Sequence, residues 1–150
     1  MEQVFFGEFE HSLDKQRRVA IPKEWRPQDS KDACFYILPG RGHSIQVMPH
    51  RLFMEEVFEK VKKLSYASKK RNLLSQLGRY GQQVSCDKQG RIALSTFLLE
   101  HAQLTNCTQV AINGCITTFE IRRPAEVTAS EESIDAFLDQ LEALEDEVNT

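Results

Sequence analysis

The chain has 150 residues, 41% of them hydrophobic, enough for one compact unit or two interlocked ones. No run approaches the roughly 20 apolar residues of a membrane span, and the amino-terminal segment lacks the apolar stretch of a signal peptide, so a cytosolic protein without a membrane partner is expected. A net charge of −3 argues against nucleic-acid binding, but the charge is unevenly placed: Arg41 to Arg91 holds eleven Lys/Arg against four Asp/Glu, whereas Glu126 to Thr150 holds nine acids and no base. An acidic tail therefore conceals a basic body.

The first element is a charged turn, Asp14-Lys15-Gln16-Arg17-Arg18, running into the aliphatic segment Val19-Ala20-Ile21-Pro22. The same unit returns 73 positions later as Asp87-Lys88-Gln89-Gly90-Arg91-Ile92-Ala93-Leu94-Ser95, with five of nine residues identical and two aliphatic exchanges. A repeat this specific marks two copies of one small module. Apolar patterning alone would follow from a core, but folding does not require a lysine and an arginine in both turns.

Downstream of the first turn, Phe35-Tyr36-Ile37 and Ser44-Ile45-Gln46-Val47 predict two strands joined through Pro39-Gly40-Arg41-Gly42. A helix is expected after Pro49, with Phe53, Met54, Val57, Phe58, Val61 and Leu64 at helical spacing. Its glutamates lie early and its lysines late, as the helix dipole favours. A second helix is predicted over about Ser68 to Leu77, with Leu73, Leu74 and Leu77 as its apolar face. Its Lys69-Lys70-Arg71 cluster could touch phosphate, although a solvated helix face is the preferred reading. After the second turn, Val110-Ala111-Ile112 and Thr118-Phe119-Glu120-Ile121 repeat the strand pair, with Asn113-Gly114 as the predicted turn. Each half thus holds a motif turn, a strand, a short helical or irregular stretch and a hairpin. Roughly 45 to 50 residues per half is too little for an independent core, so the halves are expected to fold against each other.

The last helix is predicted with Ser130 as N-cap, Glu131 and Glu132 in its first turn, and a stripe of Ile134, Phe137, Leu138, Leu141, Leu144 and Val148. Such a stripe needs cover from its own domain or a neighbouring subunit, while the acidic opposite face should avoid DNA. Cys34, Cys86, Cys107 and Cys115 show no metal-ligand spacing and are read as small core residues. No metal or cofactor is expected.

Catalytic patterns are missing from the sequence: it has no Gly-rich phosphate loop, nucleophile elbow or HExxH pair. Asp14 and Asp87 could form an acid pair, but the lysine after each would keep it ionised rather than tune it as a general acid. No enzymatic activity and no small-molecule substrate are expected; each Asp is read as capping its own turn. Arg18 and Arg91 each precede an aliphatic strand at the mouth of a turn, where a long planar donor is expected to project outward into solvent. The arginine fork matches guanine O6/N7 and phosphate. Two such loops side by side suit a ribbon or loop entering the major groove of double-stranded DNA.

The duplicated Asp-x-x-x-Arg turns, the Ile-Pro after the first, Trp25-Arg26, the helical insert and the charged helical tail together resemble the MraZ family, whose chains carry tandem SpoVT/AbrB-type domains. The resemblance covers most of the chain. It implies an α+β fold of two pseudo-symmetric swapped-hairpin β-barrel halves, closed within one chain, with a helical insert and a C-terminal amphipathic helix. The corresponding segments are 7–53 for repeat 1, 54–79 for the insert, 80–125 for repeat 2 and 126–150 for the acidic helix. It further implies a ring-forming, nucleoid-associated transcriptional regulator, typically a repressor, that binds short direct repeats upstream of its own division and cell-wall gene cluster. Arg18 and Arg91 would contact DNA, flanked by Lys15 and Lys88. Glycine precedes the arginine in the family turn, as Gly90 does here, but the first copy carries Arg17, which adds a base and would be strained at positive φ. Ser95 also departs from the proline of the first copy. The alternative reading is an antitoxin-like or scaffolding module that binds protein through its last helix and does not bind DNA.

Overall fold

A computed structural model describes residues 3–27, 34–124 and 131–148. Its strands are β1 (Glu8–Ser12), β2 (Arg18–Ala20), β3 (Cys34–Gly40), β4 (Ser44–Pro49), β5 (Gln82–Ser85), β6 (Arg91–Ala93), β7 (Gln109–Gly114) and β8 (Phe119–Arg122). Six form one sheet in the order β1-β7-β8-β4-β3-β5, and β2 pairs with β6 in a separate ribbon. Every ladder is antiparallel.

Exchanging each strand for its counterpart in the other repeat turns this order into its own reverse. The approximate twofold passes through Gln46↔Glu120 at the centre of the large sheet and through Val19↔Ile92 at the centre of the ribbon. First strands are traded between halves: β1 adds to the β7–β8 hairpin of the second repeat, and β5 adds to the β3–β4 hairpin of the first. The expectation that the halves fold against each other is met by shared hydrogen-bond ladders. The large sheet is an open row with β1 and β5 at its edges, not a closed barrel.

Period-two alternation fills the core. Phe35 and Ile37, Ile45 and Val47, Val110 and Ile112, and Phe119 and Ile121 are all fully buried, as are Val19 and Ile92 beneath the ribbon. Each such side chain contributes about 1.5–3 kcal/mol by leaving water. Trp25, in the 3-10 turn Lys23–Trp25, packs edge-on against Phe5 at 5.4 Å and lies 5.1 Å from Phe119. The buried polar residues Ser44 and Thr118 occupy equivalent places at the start of each hairpin's second strand. Ser44 Oγ donates to Arg41 O at 2.8 Å, which satisfies its hydroxyl.

Both predicted hairpins form, but the second turn is displaced. Asn113 and Gly114 are inside β7, paired with Glu120 and Phe119, and the chain reverses over 115–118, with Ile116 at φ 68°. A Phe5↔Ile116 bridge holds that turn, and a Cβ on Gly114 would strike the Phe5 backbone. Glycine is therefore required there for a close chain approach.

The helix after Pro49 comprises α1 (His50–Leu52), a π-helical stretch (Phe53–Phe58) and α2 (Glu59–Lys62), with Phe53 stacked on Tyr36 at 4.1 Å. The predicted second helix is α3 (Ala67–Tyr80), longer at both ends than its apolar spacing implied. In the second repeat the segment after the turn grows into α4 (Thr96–His101), where Ser95 Oγ accepts from Leu98 N at 3.2 Å. That N-cap is the structural reason for serine where the first copy has Pro22.

The last helix, α5 (Glu131–Val148), forms as predicted, but its expected cap Ser130 lies outside the described residues. Among the described residues no helix is long and apolar enough to cross a membrane. The cysteines are not core residues: Cys34, Cys86 and Cys107 are half-buried and Cys115 is exposed. Cys86 and Cys107 lie at the margin of the core, and Cys34 Sγ sits 3.7 Å from His50 Nδ1. Composition and spacing carry no sign of this, because Cys34 alone lies in a strand while Cys86, Cys107 and Cys115 lie in connecting segments whose burial depends on how the strands pack.

Candidate nucleic-acid interface

The two charged turns fold alike because one aspartate organises each. Asp14 Oδ1 accepts from the backbone N–H of Gln16 (2.9 Å) and Arg18 (2.8 Å), and its Oδ2 accepts from Arg18 Nε at 2.8 Å. Asp87 repeats the pattern with Gln89 N (2.8 Å), Arg91 N (2.9 Å) and Arg91 Nε (2.9 Å). Both carboxyls are held below the ordinary value, chiefly by the backbone N–H of Arg18 and of Arg91, with the guanidinium adding to it against an opposing burial effect. They are charged acceptors at neutral pH, and the turn-capping expectation holds.

Arg18 and Arg91 do not project freely. Their side chains are 31% and 27% exposed, folded back onto the aspartates. The ion pair uses one of the guanidinium's five donors. It fixes the plane of the fork, so less rotamer freedom remains to be lost on binding. In the ribbon Arg18 lies opposite Ala93 and Ala20 opposite Arg91. Strand alternation thus puts both arginines on one face, with alanines between them and Val19 and Ile92 facing the core. The two motifs meet there: a terminal amino group of Arg91 comes within 3.8 Å of Asp14 Oδ2. Lys15, Lys88 and Arg17 are exposed around this face. The structure therefore brings all five predicted site residues to one pair of adjacent turns.

The two turns differ at one position for a reason that sequence alone concealed. Arg17 and Gly90 both have positive φ, 62° and 76°. The carbonyls of these residues accept from Leu94 N and Ile21 N, which locks each turn to the other half. At Gly90 the space above the backbone is filled by the Arg26 guanidinium, whose Nε donates to Ile21 O at 2.9 Å. At the equivalent place the second repeat has Leu99 instead of an arginine. Arg17 supplies the missing group itself, its Nε donating to Leu94 O at 3.3 Å. Gly90 with Arg26, and Arg17 with Leu99, are two solutions to one backbone need. The only hint in the sequence was that Arg26 and Gly90 each lack a counterpart in the other copy.

The ribbon is also held from the side. Gln82 Nε2 donates to Ala93 O at 2.8 Å while its Oε1 accepts from Ser95 N at 3.0 Å, tying β5 to the end of β6.

This duplicated architecture has known relatives. A family model described as MraZ protein matches residues 80–142. A transcriptional regulator MraZ from Oenococcus oeni is 34% identical over 119 residues, 79% of this chain and 80% of that one. Its counterpart in Pediococcus pentosaceus is 32% identical over 142 residues, 92% of this chain and 96% of its own. Likeness of this extent shows that the chain belongs to the MraZ family.

Proposed function

We propose that this chain is a sequence-specific DNA-binding transcriptional regulator, a repressor, acting on short direct repeats upstream of a cell-division and cell-wall gene cluster that includes its own gene. The observation that carries this reading is the central ribbon, where two equivalent arginines share one outward face, pre-oriented by aspartates and bordered by Lys15, Lys88 and Arg17. The names of the relatives, each a transcriptional regulator, support it. Arg18 and Arg91 use their remaining donors on base edges or phosphate, and the lysines act as flanking phosphate contacts. Within this reading the repeats span 7–53 and 80–125, the insert 54–79 and the acidic helix 126–150. The strand exchange makes each repeat a swapped hairpin. The protein works on the nucleoid as a ring-like homo-oligomer, because one pair of turns spans only a short site and several repeats need several subunits. It performs no catalysis.

Gel shifts on DNA from upstream of its own gene test the assignment. Arg18→Ala and Arg91→Ala are each expected to weaken binding by about 1–3 kcal/mol for every base-edge interaction the arginine makes. Full affinity with both arginines removed would falsify it.

A second reading rests on α5, whose apolar residues are uncovered: a scaffolding or antitoxin-like module that grips protein and not DNA. DNA binding predicts a steep salt dependence, with a slope of about 0.9 per ionic contact, and the scaffold predicts none.

A further inference from the structure

The four free thiols do not share one environment. Cys107 and Cys115 each donate to a backbone carbonyl, of Gln103 and of Asn113, at 3.7 Å. Burial pushes the Cys86 thiol up from its ordinary value, and burial with the Glu120 charge does the same for Cys115. Thiols held that way react slowly. Around the Cys34 sulfur, by contrast, polar side chains from three elements gather. His50 Nδ1, in α1, lies 3.7 Å away, and Gln83 Nε2, in β5, donates to the sulfur at 3.6 Å. Tyr36 follows two positions along β3 on the same face. Burial and the adjacent Cys34 push its hydroxyl up, so it stays a protonated donor beside the sulfur.

With the Gln83 amide donating to the sulfur, the S–H proton is left for the imidazole. A nucleophile, a base within reach and a third group that fixes the sulfur make up an activated thiol. The sulfur is also reachable, since Cys34 and His50 are half-buried and Gln83 is exposed. Among the described residues no further Cys, His, Asp or Glu completes a metal-holding group with them, so the chemistry that the pair suits is that of the thiol itself. Its place in the fold gives that chemistry a consequence. Cys34 pairs with Ser85 and Tyr36 with Gln83 on β5, an edge strand whose neighbour in the sheet is β3. Two residues beyond Ser85 stands Asp87, which organises the second charged turn.

We propose that Cys34 is a peroxide-reactive thiol served by His50 and Gln83, and that its oxidation loosens the Asp87–Arg91 turn through β5. His50 takes the thiol proton as the sulfur attacks the distal oxygen of a hydroperoxide. The S–O bond forms while the O–O bond breaks, and the departing oxygen takes the proton from His50. The sulfur loses two electrons and becomes a sulfenic acid, and the hydroperoxide is reduced to an alcohol, or to water when it is hydrogen peroxide. The added oxygen takes the space in which the Gln83 amide now meets the sulfur, so the end of β5 gives way. The thiol chemistry stands apart from the DNA reading; only its effect on DNA binding rests on it.

Trapping with dimedone during exposure of the full chain to hydrogen peroxide, followed by mass spectrometry of its peptides, tests the chemistry. The adduct is expected on Cys34 ahead of Cys86, Cys107 and Cys115, and should be lost in His50→Asn, with circular dichroism checking that this variant is folded. Adducts spread evenly over the four cysteines, or equal trapping in His50→Asn, overturn the proposal. Hydrogen exchange tests the link to the turn. On oxidation the amides of Gln89, Gly90 and Arg91, which donate to Asp87, should exchange faster, while those of Gln16, Arg17 and Arg18, which donate to Asp14, keep their rates. Cys34→Ser should abolish the difference. Unchanged exchange in the second turn of the oxidised protein overturns the link. In gel shifts the oxidised protein should bind DNA less tightly and regain affinity with a thiol reductant; a reduced protein without any affinity would sink the DNA reading alone, leaving trapping and exchange to decide this one.

Discussion

Gly90 and Arg17 show how one backbone conformation can be met in two ways. A side chain at 90 would hold a left-handed φ of 76° and also collide with the Arg26 guanidinium. The left-handed conformation alone costs about 1–2 kcal/mol, so Gly90→Ala is expected to lower stability by more than that, read from the urea midpoint. Adding Arg26→Ala should remove the collision and recover part of the loss. Arg17→Gly should shift stability little, since the strain relieved is offset by losing the bond to Leu94 O, worth about 0.5–1.5 kcal/mol. The aspartates give a pH signature. Their folded pKa values lie below the ordinary 3.8, so their stabilisation is complete above that value and is lost as pH falls through the folded pKa. Thermal melts should therefore show little contribution from these groups to any change between about pH 5 and 8, and a fall on the acid side. Asp14→Asn with Asp87→Asn should lower the neutral plateau and flatten that fall; an unaltered acid limb would show that the pairs do not stabilise the turns.

At the scale of elements, the ribbon β2–β6 depends on residues it hides. Val19 and Ile92 are fully buried at its twofold centre, and their burial is what turns the arginine face outward. Ile92→Ala is expected to cost about 2–5 kcal/mol in stability, so its effect on DNA binding should follow unfolding of the ribbon and not removal of a group that touches DNA. The opposite holds for α5. Removing residues 131–148 takes away no buried side chain, so the remaining body is expected to keep its near-ultraviolet circular dichroism while losing self-assembly. Spacing predicted that α5, α3 and the helix after Pro49 exist. It carried no warning of the π-helical stretch at Phe53–Phe58, because such a stretch depends on which carbonyl each N–H selects and leaves the apolar pattern nearly intact.

For the whole molecule, strand exchange makes the halves inseparable. The β1 strand has its partner in β7 and β5 has its partner in β3, so either half alone would leave a hairpin edge and a strand unpaired. Separate fragments 1–79 and 80–150 are expected to be unfolded by circular dichroism, and mixing them should restore the fold. A fragment that folds alone would contradict the exchange.

The sequence by itself determined what depends on neighbours within a few positions: the duplicated turns, the Asp caps, the two hairpins and the helical faces. Alternation such as Phe35-Tyr36-Ile37 states which side chains face inward, and the Asp-x-x-x-Arg spacing closes its own turn. Family membership followed from the same local motif. Only the tertiary structure decided which strand pairs with which, because a strand's hydrogen bonds fit any partner edge and the choice rests on burying both hairpins against one core. It also decided that Arg26 reaches over Gly90 and that α5 is left uncovered. Each of these turns on contacts between distant residues, where a side chain's direction is set by the space that other segments leave it.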